Sequence, residues 1–405
     1  MLTLAALYYH SDIAVARAGL KVAEAGVITA GARPNPSIRV APGGESDPAN
    51  PFIFAVTPTF PIETAGKRGL RIRVAERLTD VAHLQLAETA WQVRARVRLA
   101  LLDLVVAGRN LDLLRSEEQV QAERARLLQQ QFDAGEIPRP DLDTAQIDLA
   151  NLRLAVRTAE GTQQQARVVL TSAIGIPVSA LDGIELTWPT LDQPPSLASL
   201  SPDAIQRTAV LNRLDIRRFL AQYAAAEATL KSEIAKQYPD LQIGPGYSYD
   251  DGINKYTVGI SLTLPLFNRN QGPIAEAEAR RKQAEEQFLA VQAQVIGESE
   301  KALAGYKAAL SELQQASTAL AMQQAKQRLA RQAFDAGETD KLSLAGAALQ
   351  TAVAARARLS ALARVQAALG ALENAVQEPL EPAWIVPRLP SSAHPQTDLL
   401  KEPTK

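Results

Sequence analysis

The chain has 405 residues, with 43 Lys and Arg against 44 Asp and Glu for a net charge of −1, and only 5% aromatic residues. Basic residues interspersed with acids leave no electrostatic footprint for nucleic acid, and the absence of cysteine excludes disulfides, zinc-thiolate sites and cysteine nucleophiles from this sequence. Long stretches dominated by Ala, Leu, Gln, Arg and Glu point to long helices with narrow seams.

Residues 4–32 place Ile13, Ala16, Leu20, Ala23 and Ala30 at helical spacing, and Arg33-Pro34-Asn35-Pro36 ends that helix because two prolines forbid its continuation. Ser37 to Val40 and Phe52 to Phe60 read as strands around a polar loop, Gly43 to Asp47, and Pro61 closes the second. From Gly66 to Phe132 the pattern is helical, with seams at Val97, Leu104 and Leu111 and at Leu113, Val120 and Leu127. At 1.5 Å per residue such a helix measures roughly 100 Å. Phe132-Asp133-Ala134-Gly135-Glu136 then reads as the tip of a helical hairpin: Gly135 takes a left-handed backbone and Asp141 caps the outgoing helix. That helix runs to Ile174 with Ala145, Ala150 and Ala155 allowing close contact, and proline-rich 176–202 is a connector.

The second half replays the first. A helix over 203–237, strands from Leu241 to Tyr249 and Tyr256 to Leu264, and a long helix from Asn270 to Phe334 precede a second tip. That tip, Phe334-Asp335-Ala336-Gly337-Glu338, lies 202 residues after the first, with Ser343 in the capping position. Ala347, Ala352 and Ala357 on the return helix over 342–376 keep the same offset, which indicates duplication. The repeats are thus 1–175 and 203–376, and the proline-rich tail over 377–405 has little to bury.

No run reaches the roughly 18 to 20 apolar residues of a membrane helix. Met1 to Tyr9 lacks the basic start and cleavage site of a signal peptide. Because the chain opens inside an amphipathic pattern, a leader missing from this sequence is expected. His10, His83 and His394 lie far apart with no HxxxH pair and read as structural or solvated. No phosphate-binding glycine loop, nucleophile elbow or metal-helix motif occurs, so neither an enzyme nor a cofactor is expected.

The strands are informative because four short strands cannot form a stable sheet alone. Tyr256, Val258, Ile260, Leu262 and Leu264 form one apolar face, interleaved with Thr257, Gly259, Ser261 and Thr263. That alternation is what a transmembrane β-strand requires, with the apolar face toward lipid. A small sheet covering a helical bundle is the alternative.

In its duplicated order of helix, strand pair, long helix, tip and return helix, and in the prolines 36, 61, 239 and 265 at helix–strand junctions, the chain resembles outer-membrane efflux proteins of the TolC family over residues 4–376. The segments Pro61 to Arg68 (PIETAGKR) and Pro265 to Gly272 (PLFNRNQG) resemble its heavy-metal (cobalt-zinc-cadmium) branch. The resemblance implies a mainly α fold with a small membrane β part. Duplicated α-hairpins would form an α-barrel, and four strands per protomer would contribute to a twelve-stranded β-barrel in a homotrimer.

It also implies a passive exit duct for heavy-metal cations in the outer membrane of a Gram-negative bacterium, its helices in the periplasm. Its partners would be a periplasmic adaptor and an inner-membrane pump of the resistance-nodulation-division type. The adaptor would meet Ala134, Gly135, Glu136 and Asp141, and Ala336, Gly337, Glu338 and Ser343; the glycines match the family's contact motif and the flanking residues do not. The aspartate gate of some members falls on Ser343 and Gly346 and is not carried over, leaving Asp340 and Lys341 as a different candidate constriction. A soluble antiparallel coiled-coil scaffold is the alternative function.

Overall fold

The computed structural model describes residues 2–44, 52–184, 186–196, 201–250 and 252–380. Its elements follow the order α1 (Leu2–Tyr9), α2 (Ser11–Gly31), β1 (Ser37–Gly44), β2 (Phe52–Ile62), α3 (Lys67–Asp133) and α4 (Arg139–Ile174). After a 3₁₀ turn at Val178–Leu181 come α5 (Pro202–Asn212), α6 (Leu214–Ala235), β3 (Leu241–Asp250), β4 (Ile253–Leu262), α7 (Gln271–Asp335) and α8 (Lys341–Val376). Cα packing divides the chain into two compact units, each drawing on both repeats. One comprises Met1–His10, Val93–Thr208 and Ser299–Lys405, and the other Ser11–Gln92 and Ala209–Glu298.

Two helices expected to be continuous are broken. The first breaks at His10, which is buried and donates its backbone N–H to Ala6 O. In the second, Arg213 leaves helical geometry and its guanidinium grips Asp215 at 2.6 Å and Glu298 at 2.9 Å. Burial opposes ionisation of Asp215, but the hydrogen bonds and charge of Arg213 outweigh it and hold the carboxyl below its usual range. Apolar periodicity continues across both points, so neither break shows in a hydrophobic pattern.

Strand bounds also shift, for pairing reasons. β1 extends to Gly44 because Phe52 continues the ladder opposite it, and β4 starts at Ile253 because Asp250 pairs with it directly. Gly252, at φ +73°, supplies the left-handed residue of that tight turn. β4 stops at Leu262, where its partner begins at Leu241, so Leu264 lies outside the strand. Residues 45–47 of the expected loop, Asp251, His394 and the tail over 381–405 lie outside the described residues.

Of the six alanines expected at close helix contacts, Ala145 and Ala347 are buried, Ala155 and Ala352 half-buried, and Ala150 and Ala357 exposed. Steps of five residues turn about 140° around a helix and cannot hold one face. In the seam of Val97, Leu104 and Leu111 the two ends are buried and Leu104 is half-buried. Leu113, Val120 and Leu127 are only half-buried, because Leu114, Gln121, Ala125 and Leu128 carry the packing there.

Candidate functional site: the sheet and the hairpin tips

The four strands form one antiparallel sheet in the order β1-β2-β3-β4, so β1 and β4 are its edges. Because opposed residues share a face, the register sorts the side chains into two sets. One face carries Ile38, Val40, Phe54, Val56, Phe60, Ile243, Tyr247, Tyr256, Val258, Ile260 and Leu262. The other carries Thr57, Gly246, Thr257 and their neighbours, with the hydroxyls of Thr57 and Thr257 folded over the space a side chain at Gly246 would fill.

Tyr256, Val258, Ile260 and Leu262 are 80%, 77%, 72% and 43% exposed. Removing a side chain of this size from water is worth about 1.5–3 kcal/mol, so an apolar face left this open marks an interaction surface. Both edge strands are exposed along their whole length.

Where chain passes between sheet and helix, the first junction segment is occupied as a clamp. The Thr64 N–H donates to Asp240 Oδ1 at 2.9 Å, and the Thr64 hydroxyl to Pro239 O at 2.6 Å. Lys67 Nζ reaches Asp240 Oδ1 at 2.7 Å and Tyr238 O at 2.6 Å. Arg68 and Arg71 donate to the carbonyls of Gly31 and Ala32 at the end of α2, and Glu63 holds Arg71. In the second segment Asn270, at φ +62°, donates to Glu233 O near the end of α6. Phe267 is 96% exposed.

Both tips lie in the other unit and have the same backbone. Gly135 and Gly337 stand at φ +76° and +79°. Gly135 N–H bonds Phe132 O and Glu136 N–H bonds Gln131 O; Gly337 N–H bonds Phe334 O and Glu338 N–H bonds Ala333 O. Each is a Schellman C-cap, which a left-handed residue makes possible.

Helix starts differ from the sequence expectation. Pro138 precedes α4 with no side-chain cap, and Asp141 merely places a carboxylate in the first turn. The cap of α8 is Asp340, whose Oδ1 accepts from Ser343 N at 2.8 Å, so Ser343 is served by the cap and does not provide it. The same hydrogen bonds hold the Asp340 carboxyl below its usual range.

Ala134, Gly135, Glu136, Asp141, Ala336, Gly337, Glu338, Ser343, Asp340 and Lys341 are all exposed. Beneath the first tip Ala125, Leu128, Leu142 and Ala145 form a small core, and Leu342 of the second hairpin packs against it. Beside it a groove of about 720 Å³ is lined by Val120, Leu127, Phe334 and Leu344 with Glu123, Arg331 and Lys341. The half-buried seam leucine and valine therefore floor this groove.

Sequence periodicity missed a buried charge cluster. Arg94 Nη2 meets Glu373 Oε2 at 2.9 Å, Arg98 Nε meets it at 3.4 Å, and Leu380 N–H donates to Glu373 Oε1 at 2.8 Å. Arg98 also donates to Gln366 O and lies 5.0 Å over Trp188, while Gln366 donates to Leu191 O. With Asp192 between Arg109 and Arg358, and the Tyr306 hydroxyl on Pro195 O, the connector is strapped onto α3, α7 and α8. The available signal was Glu373 itself, the one carboxylate in the alanine-rich α8.

No helix among the described residues is long and apolar enough to cross a membrane. Among them, no group of three or more His, Cys, Asp or Glu stands where it could hold a metal ion.

The profile of a family described as "Outer membrane efflux protein" matches residues 4–176 and again 206–376. Among curated proteins, the cobalt-zinc-cadmium resistance protein CzcC of Cupriavidus metallidurans is 27% identical over 281 residues, 69% of this chain and 65% of that protein. The pyoverdine export outer membrane protein OpmQ of Pseudomonas aeruginosa is 25% identical over 320 residues, 70% of this chain and 64% of that one. The matched stretch thus spans less than two thirds of either relative. Among solved structures, a membrane protein from Pseudomonas aeruginosa superposes with a TM-score of 0.75 at 19% identity, covering 93% of this chain and 91% of that one.

Proposed function

Since the chain belongs to the outer membrane efflux protein family, we propose that it is the passive outer-membrane exit duct of a tripartite efflux system. Three copies close the four-stranded sheet into one barrel, placing Tyr256, Val258, Ile260 and Leu262 against lipid. The observation that carries this reading is the sheet itself: two unpaired edges and one open apolar face opposite a polar one. Closure pairs every edge, satisfies the backbone in lipid and gives the apolar face its partner.

The helices then lie in the periplasm. The two tips meet the helical hairpins of a periplasmic adaptor, which joins the duct to an inner-membrane pump of the resistance-nodulation-division type. Heavy-metal cations are the cargo; the likeness to CzcC supports this, as does the resemblance of the segments 61–68 and 265–272 to the metal branch. Those segments act as clamps between helix and sheet, so they mark kinship without touching cargo. Asp340 serves α8 as its cap, and beside it Lys341 faces the groove.

Expression of the chain behind a secretory leader, followed by fractionation and planar-bilayer recording, tests the duct. The expected result is an outer-membrane trimer that conducts. A soluble monomer would favour the coiled-coil scaffold, which leaves the apolar face of the sheet without a partner. Deletion of the gene should lower tolerance to zinc, cobalt or cadmium. Unchanged metal tolerance with a loss of siderophore or drug export would move the cargo toward that of OpmQ.

A further inference from the structure

Resting on the trimeric-barrel reading, we infer that Arg39 sets the ion preference of the membrane stretch and biases it toward anions. The described strand residues carry only three charges, Arg39, Asp250 and Lys255. All three fall on the polar face: Arg39 opposes Thr57, while Lys255 opposes Ser248, which shares its face with Asp250. Closing the barrel with the apolar face outward turns this polar face to the water-filled interior.

Lys255 Nζ lies 2.6 Å from Asp250 Oδ2, so that pair cancels itself. Arg39 is exposed on edge strand β1 and has no ion pair among the described residues. The other described residues of this face, hydroxyls, Gln242, glycines and a few small or apolar side chains such as Ala41, Ala55 and Ile53, add no charge. A trimer therefore places a ring of three guanidiniums, each without an ion pair among the described residues, around the interior, and rings of one sign bias a pore toward counter-ions. For a duct whose cargo is cationic, the consequence is that the barrel stretch does not attract that cargo. Cations leave because the pump drives them, against a weak local bias.

The test is the chloride-to-potassium permeability ratio of the purified full-length channel in planar bilayers under a potassium chloride gradient, compared across wild type, Arg39→Lys, Arg39→Gln and Arg39→Glu. Any contribution from the helical tunnel is common to all four, so their differences isolate the ring. The ratio should be equal in wild type and Arg39→Lys and fall through Arg39→Gln to Arg39→Glu. The total fall should be about twofold or more near 0.1 M salt and vanish near 1 M, where screening shortens to about 3 Å. If Arg39→Glu does not assemble, the Lys and Gln variants carry the comparison. Conducting variants with one common ratio at low salt would overturn the role of Arg39 and leave the duct intact. A wild-type trimer that does not conduct would overturn the duct and this inference with it.

Discussion

Three glycines with nearly the same left-handed backbone separate the cost of folding from the cost of docking. Gly135 and Gly337 have nothing within 4 Å of where a Cβ would stand, whereas at Gly175, φ +85°, a Cβ would sit 2.9 Å from His10 Cα and 3.0 Å from Tyr9 O. At the tips an alanine pays only for its backbone, about 1–2 kcal/mol each. At Gly175 the same strain is joined by overpacking against main chain, typically about 1–3 kcal/mol more. The observable is the half-life of the trimer at a fixed elevated temperature, since such assemblies unfold irreversibly. The Gly175→Ala protein should lose more half-life than either single tip alanine variant. A Gly135→Val, Gly337→Val double variant should still form trimers in the membrane yet lose crosslinking to the adaptor and, with it, metal tolerance. Two results would refute the reasoning: a tip alanine variant less durable than Gly175→Ala, or full crosslinking with both valines in place.

Glu373→Gln should be among the most damaging single changes, because it removes the carboxylate between two buried guanidiniums at a cost of about 3–5 kcal/mol; trimer yield and protease resistance read it, and wild-type values for both would dismiss the cluster as a structural requirement. Asp340→Ala should cost about 1 kcal/mol through loss of the α8 cap. Because the folded-state pKa of Asp340 is lowered by the hydrogen bonds from Ser343, its contribution is complete above the ordinary aspartate range and is lost as pH falls through the lowered value. Hydrogen exchange in the first turn of α8, corrected for intrinsic rates, should therefore differ between wild type and variant near neutral pH and converge in strong acid.

The duplication, the two tips and the strand pairs were legible because each has a local chemical cause: a glycine that must turn left-handed, prolines that end helices, and alternation with period two. What stayed hidden was decided by polar side-chain contacts, several of them with partners far along the chain. Arg213 breaks a helix because Asp215 and Glu298 hold its side chain, and no apolar spacing records that. Asp340 rather than Ser343 caps α8 because the helix already starts at Lys341, which puts Ser343 inside its first turn. Arg94 and Arg98 sit at positions that a hydrophobic count assigns to solvent, since only the fold brings Glu373 and Trp188 to them. The strap over residues 186–196 reads as mere linker because its contacts are carbonyls, one aspartate and the isolated side chains of Trp188 and Leu191, which carry no periodic signature.

The open edges of the sheet also have a genetic meaning. In the proposed trimer every barrel contains two edges from each of three copies, and a single copy whose β1 or β4 no longer pairs leaves a gap that lipid cannot fill. A defective allele expressed at the level of the normal one would leave only about one assembly in eight free of the damaged subunit, given random mixing in a closed threefold ring. Edge lesions in this protein should accordingly behave as dominant, and lesions that abolish the chain altogether as recessive.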